Sequence, residues 1–301
     1  MSPQPLKPAH ALLALAVMVV WGTNFVVIKV ALAHLPPLTF AALRFTFALL
    51  PAVFFLKRPP VPWWNLAAYG LLIGVGQFGL LFIAMGHSIS PGLASLVVQT
   101  QAFFTIGLAM ALTGERVRGY QLTALALAAA GLAWLMLHAN ADVTPLGVAL
   151  VLGAALSWAG GNTVSRRAGP VNMLAYVVWG SLFSAPPLIA LALAAEGWPA
   201  ISAAIVHAGA VTWAAVLYQS VGNTLFGYAA WGWLLARYPA ATISPLSLLV
   251  PVFGMAASTL VLGEALTPWK LAAAALVLGG LAINTLWPVM TSRGMRSAGP
   301  R

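Results

Sequence analysis

Apolar residues in this chain run in long continuous blocks, separated by short clusters of turn residues. About 20 consecutive apolar residues carry an α-helix across a hydrocarbon core. Ten such blocks stand at 9–32, 36–56, 65–86, 90–112, 119–138, 144–166, 171–195, 207–235, 239–262 and 268–288. Pro36-Pro37, Pro59-Pro60, Ser90-Pro91, Thr144-Pro145, Gly169-Pro170 and Tyr238-Pro239 punctuate the connections, as residues that stop helices and start turns. Only the stretch around Glu196-Gly197-Trp198-Pro199 leaves a longer loop. A membrane β-barrel would instead show short segments of alternating polarity. The pattern predicts an all-α integral membrane protein of ten transmembrane helices.

The blocks also repeat. Phe78-Gly79 and Pro91 recur 148 positions later as Phe226-Gly227 and Pro239. After one residue of drift, Gly114-Glu115 aligns with Gly263-Glu264 and Gly131 with Gly280, while Trp21 has a looser counterpart in Trp158. Five helices is an odd number, so a second copy must enter the membrane from the opposite face. The expected organisation is therefore two inverted five-helix repeats, residues 1–142 and 143–301, around a central cavity, a recurrent transporter design.

Charge orients the bundle, because Lys and Arg are retained on the cytoplasmic side. With the N-terminus inside, Lys7, Lys57, Arg58, Arg116, Arg118, Arg166, Arg167, Arg237, Arg293, Arg296 and Arg301 all fall in cytoplasmic segments. The outer loops then hold little charge besides Asp142, Glu196, Glu264 and Lys270. Both termini are expected in the cytoplasm. Lys7 before an apolar stretch and Ala31-Leu32-Ala33 resemble a cleavable leader, but the run is too long, contains Lys29 and has a match in the second half. It is expected to remain as the first span.

Composition agrees. Of 301 residues, 61% are hydrophobic and 6% charged, against about 25% charged in soluble domains. The net charge of +10 is dispersed between apolar blocks, which suits anionic lipid headgroups and not nucleic acid, whose binders gather basic residues on one face. The sequence has no Cys, which removes disulfides, thiolate zinc sites and iron–sulfur clusters. Five scattered His, no nucleophile–base–acid set and no Gly-Lys-Ser or Gly-Lys-Thr loop leave enzyme chemistry and an ATP motor without support. No cofactor is implied. The expected partners are a small-molecule substrate and membrane lipids, with the chain acting as a monomer or weak dimer.

Polar side chains in hydrocarbon are costly and face a bundle interior or a watery cavity. At 1.5 Å per residue, Trp21, Asn24, Gln77, Gln99, Gln101, Trp158, Asn162 and Asn223 fall within about two turns of the span midpoints. Each amide either lines a shared cavity or forms a hydrogen bond between helices. Trp21, Phe25, Phe78, Phe82, Trp158, Trp179, Phe226 and Tyr228 also lie within spans, away from the interfaces where Trp and Tyr usually anchor. Aromatic walls with a few amides suit an amphipathic solute. Arg44 lies about two turns into the second span, where it either meets a substrate carboxylate in bidentate fashion or caps helix-end carbonyls. Lys29 is read as snorkelling. The candidate binding set is Trp21, Asn24, Arg44, Gln77, Phe78, Gln99, Gln101, Trp158, Asn162, Trp179 and Asn223.

Glu115, Asp142, Glu196 and Glu264 all map to loops or helix ends, so no carboxylate is placed to relay protons across the membrane. Facilitated rather than proton-coupled transport follows as the expectation. The repeated Gly-Glu is read as architectural, each carboxylate accepting from the next helix's first amides, and Pro251 is expected to kink its helix.

Trp21-Gly22-Thr23-Asn24-Phe25, Arg44 and the duplicated Gly-Glu resemble the drug/metabolite transporter superfamily, EamA type, across nearly the whole chain. The overall look is similar to the YddG-type bacterial exporters of aromatic amino acids. The resemblance implies an inner-membrane exporter of amino acids, aromatic or large neutral, or other small metabolites. Its rivals are a multidrug or nucleotide-related carrier of the same fold and a lipid flippase or scramblase. Trp158-Ala159-Gly160-Gly161-Asn162 departs from the motif of the first span.

Overall fold

A computed structural model describes residues 7–113, 119–138, 142–238 and 243–297. Its elements are all helical: α1 Pro8–Leu32, α2 Pro37–Leu49, α3 Trp63–His87, α4 Pro91–Leu112, α5 Gly119–Leu137, α6 Pro145–Arg167, α7 Met173–Ala195, α8 Trp198–His207, α9 Ala210–Leu234, α10 Leu249–Leu262 and α11 Pro268–Ser297. Among the described residues no strand forms, and Ile89 and Val143 meet only in an isolated bridge. Among the described residues, eight helical segments, α2 being counted with the turn through Phe54, are long and apolar enough to span a membrane, or nine if α8 and α9 count as one broken span. The bundle's outer surface is apolar, with Leu260 84% and Leu137 78% exposed. Lipid is the solvent such a surface fits, because contiguous apolar area in water drives association.

Local chemistry sets the helix starts. Pro occupies the first helical turn of α1, α2, α4 and α6, where its missing N–H costs nothing. Thr144 and Asn172 cap α6 and α7 by accepting from Gly147 N and Ala175 N. The loop expected around Glu196–Pro199 is instead brief. Gly197 turns the chain at φ 78° and Trp198–Pro199 open α8, which meets α9 at 104° after Ala208–Gly209. Pro251 is the third residue of α10, just past the junction with the 3₁₀ turn Ser244–Leu248.

Four helices depart from α geometry at matched places. A π-helical stretch covers Leu71–Gly79 in α3 and Tyr218–Phe226 in α9, 147 positions apart. A 3₁₀ turn covers Val98–Thr100 in α4, and another, Ser244–Leu248, leads into α10. Packing partners exchange in the same way. The helix α1 lies on α9 and α10 as α6 lies on α3 and α4, whereas α2 pairs with α7 and α5 with α11.

The α5–α11 seam is the tightest example. A Cβ at Gly131 would lie 2.7 Å from Val277 Cγ2 and 3.2 Å from Ala273 O, and one at Gly280 would lie 2.5 Å from Ala124 O and 3.2 Å from Ala128 N. Adding 149 to 124, 128 and 131 yields 273, 277 and 280. Each glycine therefore receives the equivalent turn of the other helix, and the two helices run antiparallel.

Candidate functional site

The middles of α1, α2, α3 and α9 converge on a polar cluster. Asn223 Nδ2 donates to Asn24 Oδ1 at 2.9 Å and to Gln219 Oε1 at 3.1 Å. Gln219 Oε1 also accepts from Arg44 Nη1 at 2.6 Å, and its amide reaches Asn24 O at 3.5 Å. Gln219 and Asn223 share a face because they lie four residues apart, and they fall within the π-helical stretch of α9. Such stretches concentrate at functional sites.

Aromatic rings enclose the cluster. Trp21 Nε1 donates to Asn223 O at 3.3 Å, and its ring packs 5.7 Å from Tyr228 and 5.5 Å from Trp231. Gly227 makes room for that indole, since a Cβ there would fall 2.3 Å from Trp21 Nε1. Phe78 lies under the Arg44 guanidinium, with the ring centroid 3.5 Å from Cζ, and continues to Phe45 and Phe82 at 5.8 Å each. Arg44 is fully buried, and the one hydrogen bond of its guanidinium among the described residues goes to a side-chain amide and not to helix-end carbonyls. Its Nε and Nη2 have no hydrogen-bond partner among the described residues.

Among the described residues, the remaining predicted side chains make no hydrogen bond to this cluster. Asn162 Nδ2 donates to Gln101 Oε1 at 3.2 Å, a separate α6–α4 pair that Thr105 extends. Gln99 Nε2 reaches Ser247 O at 3.5 Å. Gln77 is buried with Oε1 unpartnered, and Trp158 packs half-buried against the core. Trp179 is held away from the cluster, donating to Leu56 O at 2.9 Å beside Trp63. Phe226 is 39% exposed. Sequence reasoning missed Gln219, although a Gln four residues before Asn223 in an apolar block was a legible signal.

Three ionic ties join helix ends. Glu196 accepts from the first amides of α2, Leu38 N at 2.6 Å and Thr39 N at 2.9 Å, and from Thr39 Oγ1, the arrangement a helix dipole favours. Lys29 Nζ donates to Met85 O and Gly86 O at the end of α3, each at 3.1 Å. Glu264 follows Gly263 (φ 69°) and accepts from Ser258, Ser90, Gly92 N and Lys270. It thus caps α4, not the first amides of the helix that follows it. Burial opposes its ionisation, but hydrogen bonds from Ser258, Ser90 and Lys270 outweigh that and hold its carboxyl below the usual range. Lys270, 1% exposed, also pairs with Asp142 at 2.9 Å. The repeat-mate Gly114-Glu115, with Arg116 and Arg118, lies outside the described residues.

An apolar-skinned helical bundle with amides, aromatics and one buried cation at its centre is the build of a membrane carrier. The chain belongs to the EamA-like transporter family, whose model matches residues 9–137 and again 145–286. It is 43% identical over 279 residues to a probable amino-acid metabolite efflux pump of Salmonella typhimurium, covering 90% of this chain and 93% of the relative. The protein with the same description in Escherichia coli is 42% identical over 278 residues, with the same coverage. An uncharacterized transporter of Bacillus subtilis, YoaV, is 27% identical over 284 residues, covering 90% of this chain and 94% of the relative. A crystal structure aligns with TM-score 0.62 at 22% identity, covering 93% of this chain and 98% of the other, and so shares the fold.

Proposed function

We propose that this chain exports small amino-acid metabolites across a bacterial inner membrane by alternating access, as a facilitator without proton coupling. The observation that carries the reading is the central cluster. Trp21, Asn24 and Arg44 from the first half meet Gln219, Asn223 and Tyr228 from the second. A solute held between them would touch both halves, and a rocking motion of one half against the other would change its access. The printed names of the two relatives above 40% identity support the amino-acid class.

Ten spans in two inverted halves, 1–142 and 143–301, complete the proposal, with α8–α9 counted as one broken span and α10 as the ninth. The antiparallel α5–α11 seam and the matched π and 3₁₀ stretches support it. Both termini then face the cytoplasm, and Glu196, Lys29 and Glu264 lie at the outer face. Their ties are the contacts that release to the outside must break.

The test is counterflow of radiolabelled amino acids into proteoliposomes preloaded with unlabelled ones. Saturable counterflow is expected, and an imposed pH gradient alone should not drive accumulation. Labelled-lipid exchange without amino-acid flux would instead favour a flippase.

A further inference from the structure

Arg44 is a charge without a counter-ion. It lies in the middle of the second span and is completely buried, with Nη1 spent on a neutral amide and Nε and Nη2 unpartnered. The chain has four acidic residues, Glu115, Asp142, Glu196 and Glu264, and all lie in sequence outside the spans. The three that are described hold their own partners at helix ends. A buried cation with no counter-ion is strongly unfavourable, and a guanidinium remains charged at any working pH. Cation–π contact with Phe78 and Phe45 offsets only part of that cost.

We infer that Arg44 is the subsite for the carboxylate of the transported solute, a deepening that rests on the exporter reading above. Gln219 fixes one edge of the guanidinium and Phe78 fixes its plane, leaving Nε and Nη2 as the adjacent pair that suits a bidentate carboxylate. The rest of the solute lies toward Trp21, which bonds Asn223 in the same network, and the Tyr228 ring packed on it. Among the described residues no acid faces this region to pair with an ammonium group. The carboxylate is therefore required, and the amino group, in contact with aromatic faces, is not.

The experiment is thermal stabilisation of the purified full chain in detergent, titrated with L-phenylalanine, L-leucine and L-threonine, the amide of each, and 3-phenylpropionate. At least one free acid should bind about tenfold or more tightly than its amide, and 3-phenylpropionate should stay within about threefold of phenylalanine. Arg44→Gln should erase the preference for acid over amide, and Arg44→Lys should keep part of it. Amides that bind as well as acids, no binding by any acid, or a preference surviving in Arg44→Gln would overturn the inference. The wild-type comparison decides even if Arg44→Gln does not fold. Acid-selective binding without flux would remove the exporter reading and leave the subsite; flux inhibited equally by acids and amides would do the reverse.

Discussion

The helices α1 and α6 occupy matched places in the bundle, yet their polar residues are used differently. In α1, Trp21 and Asn24 bond to α9 and join a network that ends on Arg44. In α6, Asn162 bonds to Gln101 of α4, and Trp158 packs on the core. Packing partners, π stretches and the α5–α11 seam are duplicated, whereas the buried cation is not. Backbone geometry must be kept in both copies because each helix fills the groove its counterpart fills. Chemistry has no such constraint, since one solute needs only one anchor for its charged end.

The largest effect is expected at the helix-end ties, where the second half supplies acids to helices of the first. Glu264→Gln leaves Lys270 with Asp142 alone and should cost about 3 kcal/mol, read as a Tm drop in detergent. Glu196→Gln removes a charge from the α2 dipole but strands no cation, and about 1 kcal/mol is expected. Equal losses would mean that Lys270 does not depend on Glu264.

Next come the matched tryptophans. Trp21→Ala and Asn24→Ala should lower counterflow about tenfold, roughly 1.4 kcal/mol, and Trp158→Ala or Asn162→Ala only about threefold. Equal losses from the two pairs would restore a symmetric site.

The matched glycines give a smaller but cleaner contrast. Gly227→Ala sets a Cβ against the Trp21 indole, and about a threefold loss of flux is expected. At Gly79, 148 positions earlier, an added Cβ would meet nothing closer than 3.7 Å. Gly79→Ala should leave flux unchanged.

Acid should produce the mildest change. The Glu264 carboxyl titrates below its ordinary 4.5, so the folded state binds fewer protons than the unfolded one there. The stability this contributes is full above about pH 4.5 and is lost as pH falls through the lower folded value. A Tm series from pH 6 to pH 3 should show wild type declining more steeply than Glu264→Gln.

The sequence by itself determined the solvent, the helix class and the doubling. Those properties live in block length, turn residues and letters recurring 148 or 149 apart, all of which are local or periodic. Trp21, Asn24, Arg44, Phe78 and Asn223 were also legible, because a polar or aromatic side chain deep in an apolar block has few places to go. Tertiary structure alone decided their partners. Only it placed Gln219 between Arg44 and Asn223, separated Trp179 from the site, sent Asn162 to Gln101, set Lys29 on the end of α3 and gave Glu264 the start of α4 to cap. Hydropathy records how deep a residue lies in its helix; which neighbour it meets depends on the rotation and crossing of helices far apart in the chain.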